Sequence, residues 1–191
     1  MLPGPLLDVA AGVADGSLDA SVGIVRDVAA APGLHVQRLF ASRLVGIVRR
    51  RHPALRAGRI TLRDYVAADH VVVTERPGAS GAVDEELARR GLRRHVAARV
   101  PRAPLVPPLI AASDLVAAVS DDIAAPYARL LPLEIFPLSV PLPVGRVALV
   151  WHERTAHDPA RAFLRRLIGE AAADLRRVPP LSRRRARARS A

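Results

Sequence analysis

Three short strings in this chain have residue types that could do chemistry. His152-Glu153 followed by His157 approaches the HExxH pattern, in which two histidines one helical turn apart hold zinc and the glutamate acts as base. Here the second histidine stands five residues after the first, and Pro159 opens the helix behind it. The two rings therefore do not share a helical face, and a zinc protease is set aside. Gly78-Ala79-Ser80-Gly81-Ala82 places a serine between glycines, but the spacing is not GxSxG and no histidine partner accompanies it, so Ser80 reads as a turn or cap residue. The same turn, opened by Pro77, could cradle a phosphate, yet it lacks both the GKS/T ending of a P-loop and the GxGxxG spacing of a dinucleotide site. His35, His52, His70 and His95 are scattered without ligand spacing, and the chain has no cysteine. With no acid/base pair and no metal set, the expectation is no enzyme and no cofactor. What remains is recognition: free backbone N–H groups at a helix start near Gly81 can hold a carboxylate, with the hydroxyls of Thr74 and Ser80 as further donors.

Such a site needs a strand, a glycine-rich turn and a helix in that order, and residues 69–97 supply them. His70 to Thr74 is a valine run without alternation, the mark of a strand buried on both faces. Asp84, Glu85 and Glu86 then stand in the first turn of a helix, Arg89 and Arg90 in its last, and Gly91 closes it. Residues 93–100 and 114–120 read as strands, and 103–113 as a helix begun by Pro107 and Pro108. Ahead of these, residues 60–69 form a short helix capped by Thr61, with Asp64 in its first turn.

The chain opens on an amphipathic helix that breaks at Gly16, followed by a β-branched run from Leu18 to Val25. Helix then strand is the second half of a βαβ unit, and its opening strand is expected to be absent. After Pro32-Gly33, residues 34–40 and 43–49 are extended, the second piece crossing into another block. Pro126, Pro132, Pro137, Pro141 and Pro143 each remove a backbone donor, which predicts a packed, extended connector after Asp121. Residues 145–151 return as a strand. Asp158 then caps a helix that Pro159 opens, with Phe163, Leu164, Leu167 and Ile168 on one face. Trp151 is assigned to core or hinge packing, and Arg49, Arg50 and Arg51 to an exposed strand end.

Bulk composition narrows the class. At 191 residues and 50% hydrophobic content the chain folds, and the lack of cysteine removes any disulfide framework. The first twenty residues hold Asp8, Asp15 and Asp19 but no lysine or arginine, unlike a secretory signal. No apolar run nears the ~20 residues that span a bilayer. The expectation is a soluble cytoplasmic protein with no membrane partner. The net charge of +11 comes entirely from arginine and reads as compositional bias rather than a nucleic-acid footprint. Part of it is local, in a tail at 178–191 that is expected to be disordered.

The strings LDASVGI, RRRHPAL, ITLRDYVAADHVVVT, GAVDEELARRGLRRHVA, SDLVAAVS and LVWHERTAHDPARAFLRRLI, in that order from Leu6 to Ile168, resemble the effector-binding domain of bacterial LysR-type transcriptional regulators. The nodulation-regulator branch is nearest. The resemblance implies an α/β, two-lobed fold like type 2 periplasmic binding proteins, with mixed sheets and an incomplete first subdomain. It divides the chain into residues 1–46 plus 147–177, residues 47–146, and the tail. It also implies a small-molecule effector, an organic acid or aromatic, at Thr74, Glu75, Gly78, Ser80 and Gly81, at Gly23 and Ile24, and at Ser120. A homodimer through this domain is implied as well, with residues 88–96 or 6–16 near its face. DNA would be read only by a winged helix-turn-helix that the residues before Leu6 cannot form. Two rival expectations are a free-standing solute-binding protein of the same fold and a non-functional gene remnant.

Overall fold

The computed structural model describes residues 7–24, 32–74 and 81–177. They divide into two compact units, one built from residues up to Ser42 and from Val144 onward, the other from Arg43–Pro143.

In the first unit, α1 (Leu7–Asp15) ends at Gly16, whose φ of +90° suits only glycine without strain. Strands β1 (Ala20–Ile24) and β2 (Leu34–Ser42) flank a central returning strand, residues Gly145–His152, and all pairings are antiparallel. Val147, Ala148, Leu149 and Val150 are buried without alternation because both faces of this central strand are covered. Val13 packs with Leu34 and Val150 on one face, while Ala172 and Ile168 of the last helix, Pro159–Arg177, pack with Leu39, Val147 and Leu149 on the other. Asp158 caps that helix as its sequence predicts, accepting from the Arg161 N–H at 2.9 Å. Its apolar stripe is only half covered: Ile168 reaches the sheet, whereas Phe163, Leu164 and Leu167 stay exposed.

The second unit is built on a five-stranded mixed sheet. Its members in chain order are β3 (Leu44–Arg49), β4 (Asp69–Val73), β5 (His95–Val100), β6 (Val116–Ser120) and β7 (Leu133–Phe136), with the returning strand of the first unit numbered β8. The spatial order is β5-β4-β6-β3-β7; β4 runs parallel to β5 and β6, and β3 antiparallel to β6 and β7. Helices α2 (Leu62–Ala67) and α3 (Ala82–Arg89) cover one face through Tyr65, Val83 and Leu87, which pack with Val48, Val116 and Phe136. Helices α4 (Val106–Ala111) and α5 (Asp121–Leu130) cover the other through Val106, Ile110 and Ala124, which pack with Ile47, Val71 and Val119. Adjacent Ile47 and Val48 thus point into opposite cores and are both fully buried. The first-unit helix at Pro159–Arg177 is α6.

The stretch after Asp121 corrects the sequence expectation. Residues 121–130 are helical despite Pro126, and Leu133–Phe136 is a strand, not an extended connector. Pro126 removes a single intrahelical donor. Against that, Asp121 and Asp122 complement the helix start, Arg129 its end, and Ala124 is fully buried, with Tyr127 and Ala128 packed on the same core. Tertiary burial outweighs the local penalty.

Candidate functional site

Thr74 and Ser120 stand at the carboxyl ends of neighbouring parallel strands of the second unit's sheet: β4 pairs with β6 at His70 with Val116 and at Val71 with Ala117, Thr74 directly follows β4, and Ser120 is the last residue of β6. The Thr74 N–H still donates to the Val100 carbonyl at 2.9 Å, holding the residue in line with β4. Carboxyl ends of neighbouring parallel strands are where open α/β sheets present ligand groups.

A helix follows each of these strands in the chain, α3 after β4 and α5 after β6, and their electrostatics differ. Helix α5 follows Ser120, whose side chain makes no capping bond; its first N–H, from Asp121, donates to the Arg43 carbonyl at 2.8 Å, and its carboxylate accepts from the Arg43 N–H at 3.0 Å. Asp121 and Asp122 place two negative charges at that start, which opposes a second anion. Helix α3 begins after Gly81, which has no side chain with which to cap. Its first-turn Asp84 accepts from the Gly81 N–H at 3.3 Å and takes a fork of two bonds from Arg94, at 2.7 and 2.9 Å. Burial would raise the Asp84 carboxyl, but hydrogen bonds and charge from Arg94 hold it below its ordinary value. The Arg94 side chain is only 4% exposed, and although burial disfavours its charge, the bonds to Asp84 hold the guanidinium protonated. The first turn of α3 carries two acidic residues as well, Asp84 and Glu85, but there Arg94 offsets the charge of Asp84.

Behind Arg94 lies a polar cluster. Its guanidinium approaches the Tyr65 hydroxyl at 3.4 Å, and the Tyr65 ring meets His70 edge-on at 4.6 Å between centroids. His70 is fully buried; its Nε2 donates to the Tyr65 carbonyl at 2.6 Å, and its Nδ1 has no hydrogen-bond partner. Burial, with Arg94 nearby, pushes the imidazole from 6.5 down to about 4, against the opposing pull of the Tyr65 carbonyl, Asp84 and Asp69. The unfolded chain takes up this proton below pH 6.5 and the folded chain does not until about 4, so stability falls as pH drops through that window. The loss is on the order of 3 kcal/mol. Urea unfolding at pH 7 and pH 4.5 should show it for the wild type and much less for His70→Phe; equal pH dependence in both would contradict it.

The other expected site residues fall elsewhere. Gly23 and Ile24 belong to the first unit, paired with Ala148 and Val147 of β8. Glu75, Gly78 and Ser80 lie outside the described residues. Nothing in residue type marked Arg94 and Asp84 as partners, because ten positions and a helix separate them in sequence. His152 is a strand-end cap, its Nδ1 accepting from the Arg154 N–H at 3.1 Å, and Trp151 stacks on His35 beneath Arg165. A surface depression of about 350 Å³ sits at Arg59, Ile60, Thr61 and Pro137 to Ser139, the last three following the end of β7. Within it, the Ser139 hydroxyl donates to the Ile60 carbonyl.

Comparison with known proteins agrees with this architecture. Residues 3–173 match the family model described as LysR substrate binding domain. The chain is 36% identical over 171 residues to the HTH-type transcriptional regulator SyrM of Rhizobium meliloti (strain 1021), covering 88% of the chain and 51% of that protein. It thus spans about half the length of the curated relatives it matches. Among solved structures, a probable transcriptional regulator from Pseudomonas aeruginosa is 29% identical, with a TM-score of 0.69 over 90% of this chain and 53% of that one. The effector binding domain of QuiR in complex with shikimate shares the fold at 14% identity, with a TM-score of 0.62 over 90% of this chain and 76% of that one. The chain belongs to the LysR substrate-binding domain family.

Proposed function

We propose that this domain senses a small organic acid, held by its carboxylate at the start of α3 and by hydroxyls at the ends of β4 and β6. The observation that carries this is the placement of Thr74 and Ser120 at the carboxyl ends of neighbouring parallel strands, together with an α3 first turn in which Asp84 is paired with Arg94. By family resemblance, Glu75, Gly78, Ser80, Gly23 and Ile24 are further candidate effector residues. QuiR, with its shikimate, supports a cyclic hydroxy acid as a reasonable class.

In the complete regulator, binding shifts the domain between two states, and that shift alters how paired subunits engage DNA through a helix-turn-helix. The domain is non-enzymatic, pairs as a homodimer, and works in the cytoplasm. No helix among the described residues is long and apolar enough to cross a membrane.

A thermal-shift screen of small carboxylic acids, shikimate and benzoate included, tests the reading. Thr74→Val and Ser120→Ala should each weaken any acid that stabilises the wild type by about tenfold, the loss of one hydrogen bond to a charged group. The melting point without ligand should barely move. Equal affinity in both variants removes these strand ends from the site.

A further inference from the structure

From Arg49 to Arg63 the chain has six arginines and no acidic residue. Two of them, Arg56 and Arg59, stand directly opposite each other: each N–H donates to the other's carbonyl, at 2.9 and 3.0 Å, across a turn of Ala57 and Gly58. Both turn residues have a positive φ, +50° and +76°, as a type I′ hairpin turn requires. Glycine takes that conformation freely, whereas the Cβ of Ala57 makes it strained. Side chains opposite each other in such a pair leave the same face, about 5 Å apart at Cβ, and like charges there repel. The carboxylates nearest in sequence are committed elsewhere, Asp64 to the Thr61 hydroxyl and Asp114 to Arg49. Both hairpin arginines are exposed, and a Cβ added at Gly58 would meet nothing within 4 Å. A strained turn that holds two guanidiniums side by side in the open is unfavourable alone and becomes favourable with an anion between them.

Arg59 also lines the depression of about 350 Å³, with Ile60, Thr61, Pro137, Leu138 and Ser139. The two hydroxyls have committed their protons, Ser139 to the Ile60 carbonyl and Thr61 to Asp64. Among the described side chains that line it, the donors left for a ligand are those of Arg59, while Ile60, Pro137 and Leu138 supply apolar surface. A volume of this size suits a single aromatic ring or a short aliphatic body, at the small end of ligand pockets. The place is separate from the strand ends at Thr74 and Ser120. Strand β7, which Pro137 follows, stands last in the sheet order, with β3 between it and β6, and with both between it and β4. At ~4.8 Å per strand, that is roughly 10 Å from β6 and roughly 14 Å from β4.

We propose that Arg56 and Arg59 bind the phosphate of a small organic phosphate monoester whose apolar part lies in the depression. Charge and shape decide the class. A phosphate monoester carries close to two negative charges at neutral pH and has three free oxygens, enough for two guanidinium forks. A carboxylate has one charge and two oxygens, which a single fork uses up. A nucleic-acid phosphate is a diester and likewise offers one charge and two free oxygens. The site is independent of the one proposed at the start of α3, so either can fail without the other.

An amide NMR titration of the full chain with phenyl phosphate, in a buffer free of phosphate, tests it. Saturable shifts are expected at Arg56 to Thr61, Leu138 and Ser139, with Thr74 and Ser120 unmoved. Arg56→Ala and Arg59→Ala should each weaken binding by roughly tenfold or more, the loss of one charge-assisted contact, and their spectra show directly that the fold is kept. Arg63→Ala removes equal charge from the same basic run outside the hairpin and should change affinity by less than about twofold. Benzoate and inorganic phosphate, each lacking one part of the ligand, should bind more weakly than phenyl phosphate by roughly tenfold. No saturable shift with phenyl phosphate overturns the proposal. So does a loss in Arg63→Ala as large as that in Arg59→Ala, inorganic phosphate binding as tightly as phenyl phosphate, or hairpin shifts caused by a short DNA duplex and not by phenyl phosphate.

Discussion

Replacing Arg94 with methionine is expected to lower the free energy of unfolding by about 3 kcal/mol, the cost of leaving one partner of a buried ion pair uncompensated. The guanidinium is 4% exposed and makes both bonds of its fork to Asp84, so removal strips that carboxylate of its paired charge and takes a donor from the Tyr65 hydroxyl. Asp84 is 26% exposed, so water relieves part of the penalty and the loss sits at the lower end of the range for buried pairs. Asp84→Asn keeps the shape and should cost less. The double variant should cost less than the two single changes added together, because each partner's removal takes away the reason for the other. Urea unfolding of all four proteins measures this, and a loss below about 1 kcal/mol in Arg94→Met would place the pair among ordinary surface bridges. Because Asp84 also accepts from the Gly81 N–H, loosening it should disturb the first turn of α3 before any other element.

An equally large effect is expected from a single methyl group at Gly46. This residue sits in β3 directly opposite Phe136 of β7, and a Cβ there would stand 2.2 Å from the Phe136 ring. The ring is 1% exposed and packed in the same core as Tyr65, Val48 and Val116, so it has nowhere to go. Gly46→Ala should therefore cost about 3 kcal/mol as overpacking, at the top of the usual range. Phe136→Leu alone should cost on the order of 1–2 kcal/mol as lost burial. Placed together, the smaller side chain makes room for the methyl, and the pair should be more stable than Gly46→Ala alone. Chemical unfolding of the four proteins checks this; additive losses would mean that the two residues do not compete for the same space.

Much of the frame was legible in local chemistry. Thr61 caps α2 by accepting from the Asp64 N–H at 3.1 Å, and Gly91 ends α3 with a φ of +69° and a Leu92 N–H bonded back to Leu87. Signals of this kind are local, since the residue that ends a helix does so through its own backbone. The valine run of β4 and the capped start of α6 were readable for the same reason. Less legible was anything decided by tertiary burial. Prolines predicted a packed, extended connector between Asp121 and Val144, and the core around Ala124 and Leu133 overrode them. The apolar stripe of α6 marked a helix but not how far the sheet covers it, because coverage depends on which strands stand beside β8.

The candidate site divides the same way. Thr74 and Ser120 were visible as strand-end hydroxyls, and the parallel pairing of β4 with β6 puts them at the same end of the sheet. Arg94 was not visible, since an arginine between a helix-ending glycine and a strand looks like a solvated surface residue. Only the fold turns it inward, to Asp84 and Tyr65.

The most direct measurement is a backbone amide NMR titration of this chain with shikimate, benzoate and related carboxylic acids. The proposed site predicts that an acid which binds moves the amides of Thr74, Gly81 to Asp84 and Ser120 together along one saturation curve, with Arg94→Met flattening that response. Saturable shifts confined to the depression at Arg59 and Ser139, or no saturable shift at the strand ends with any acid, would contradict it.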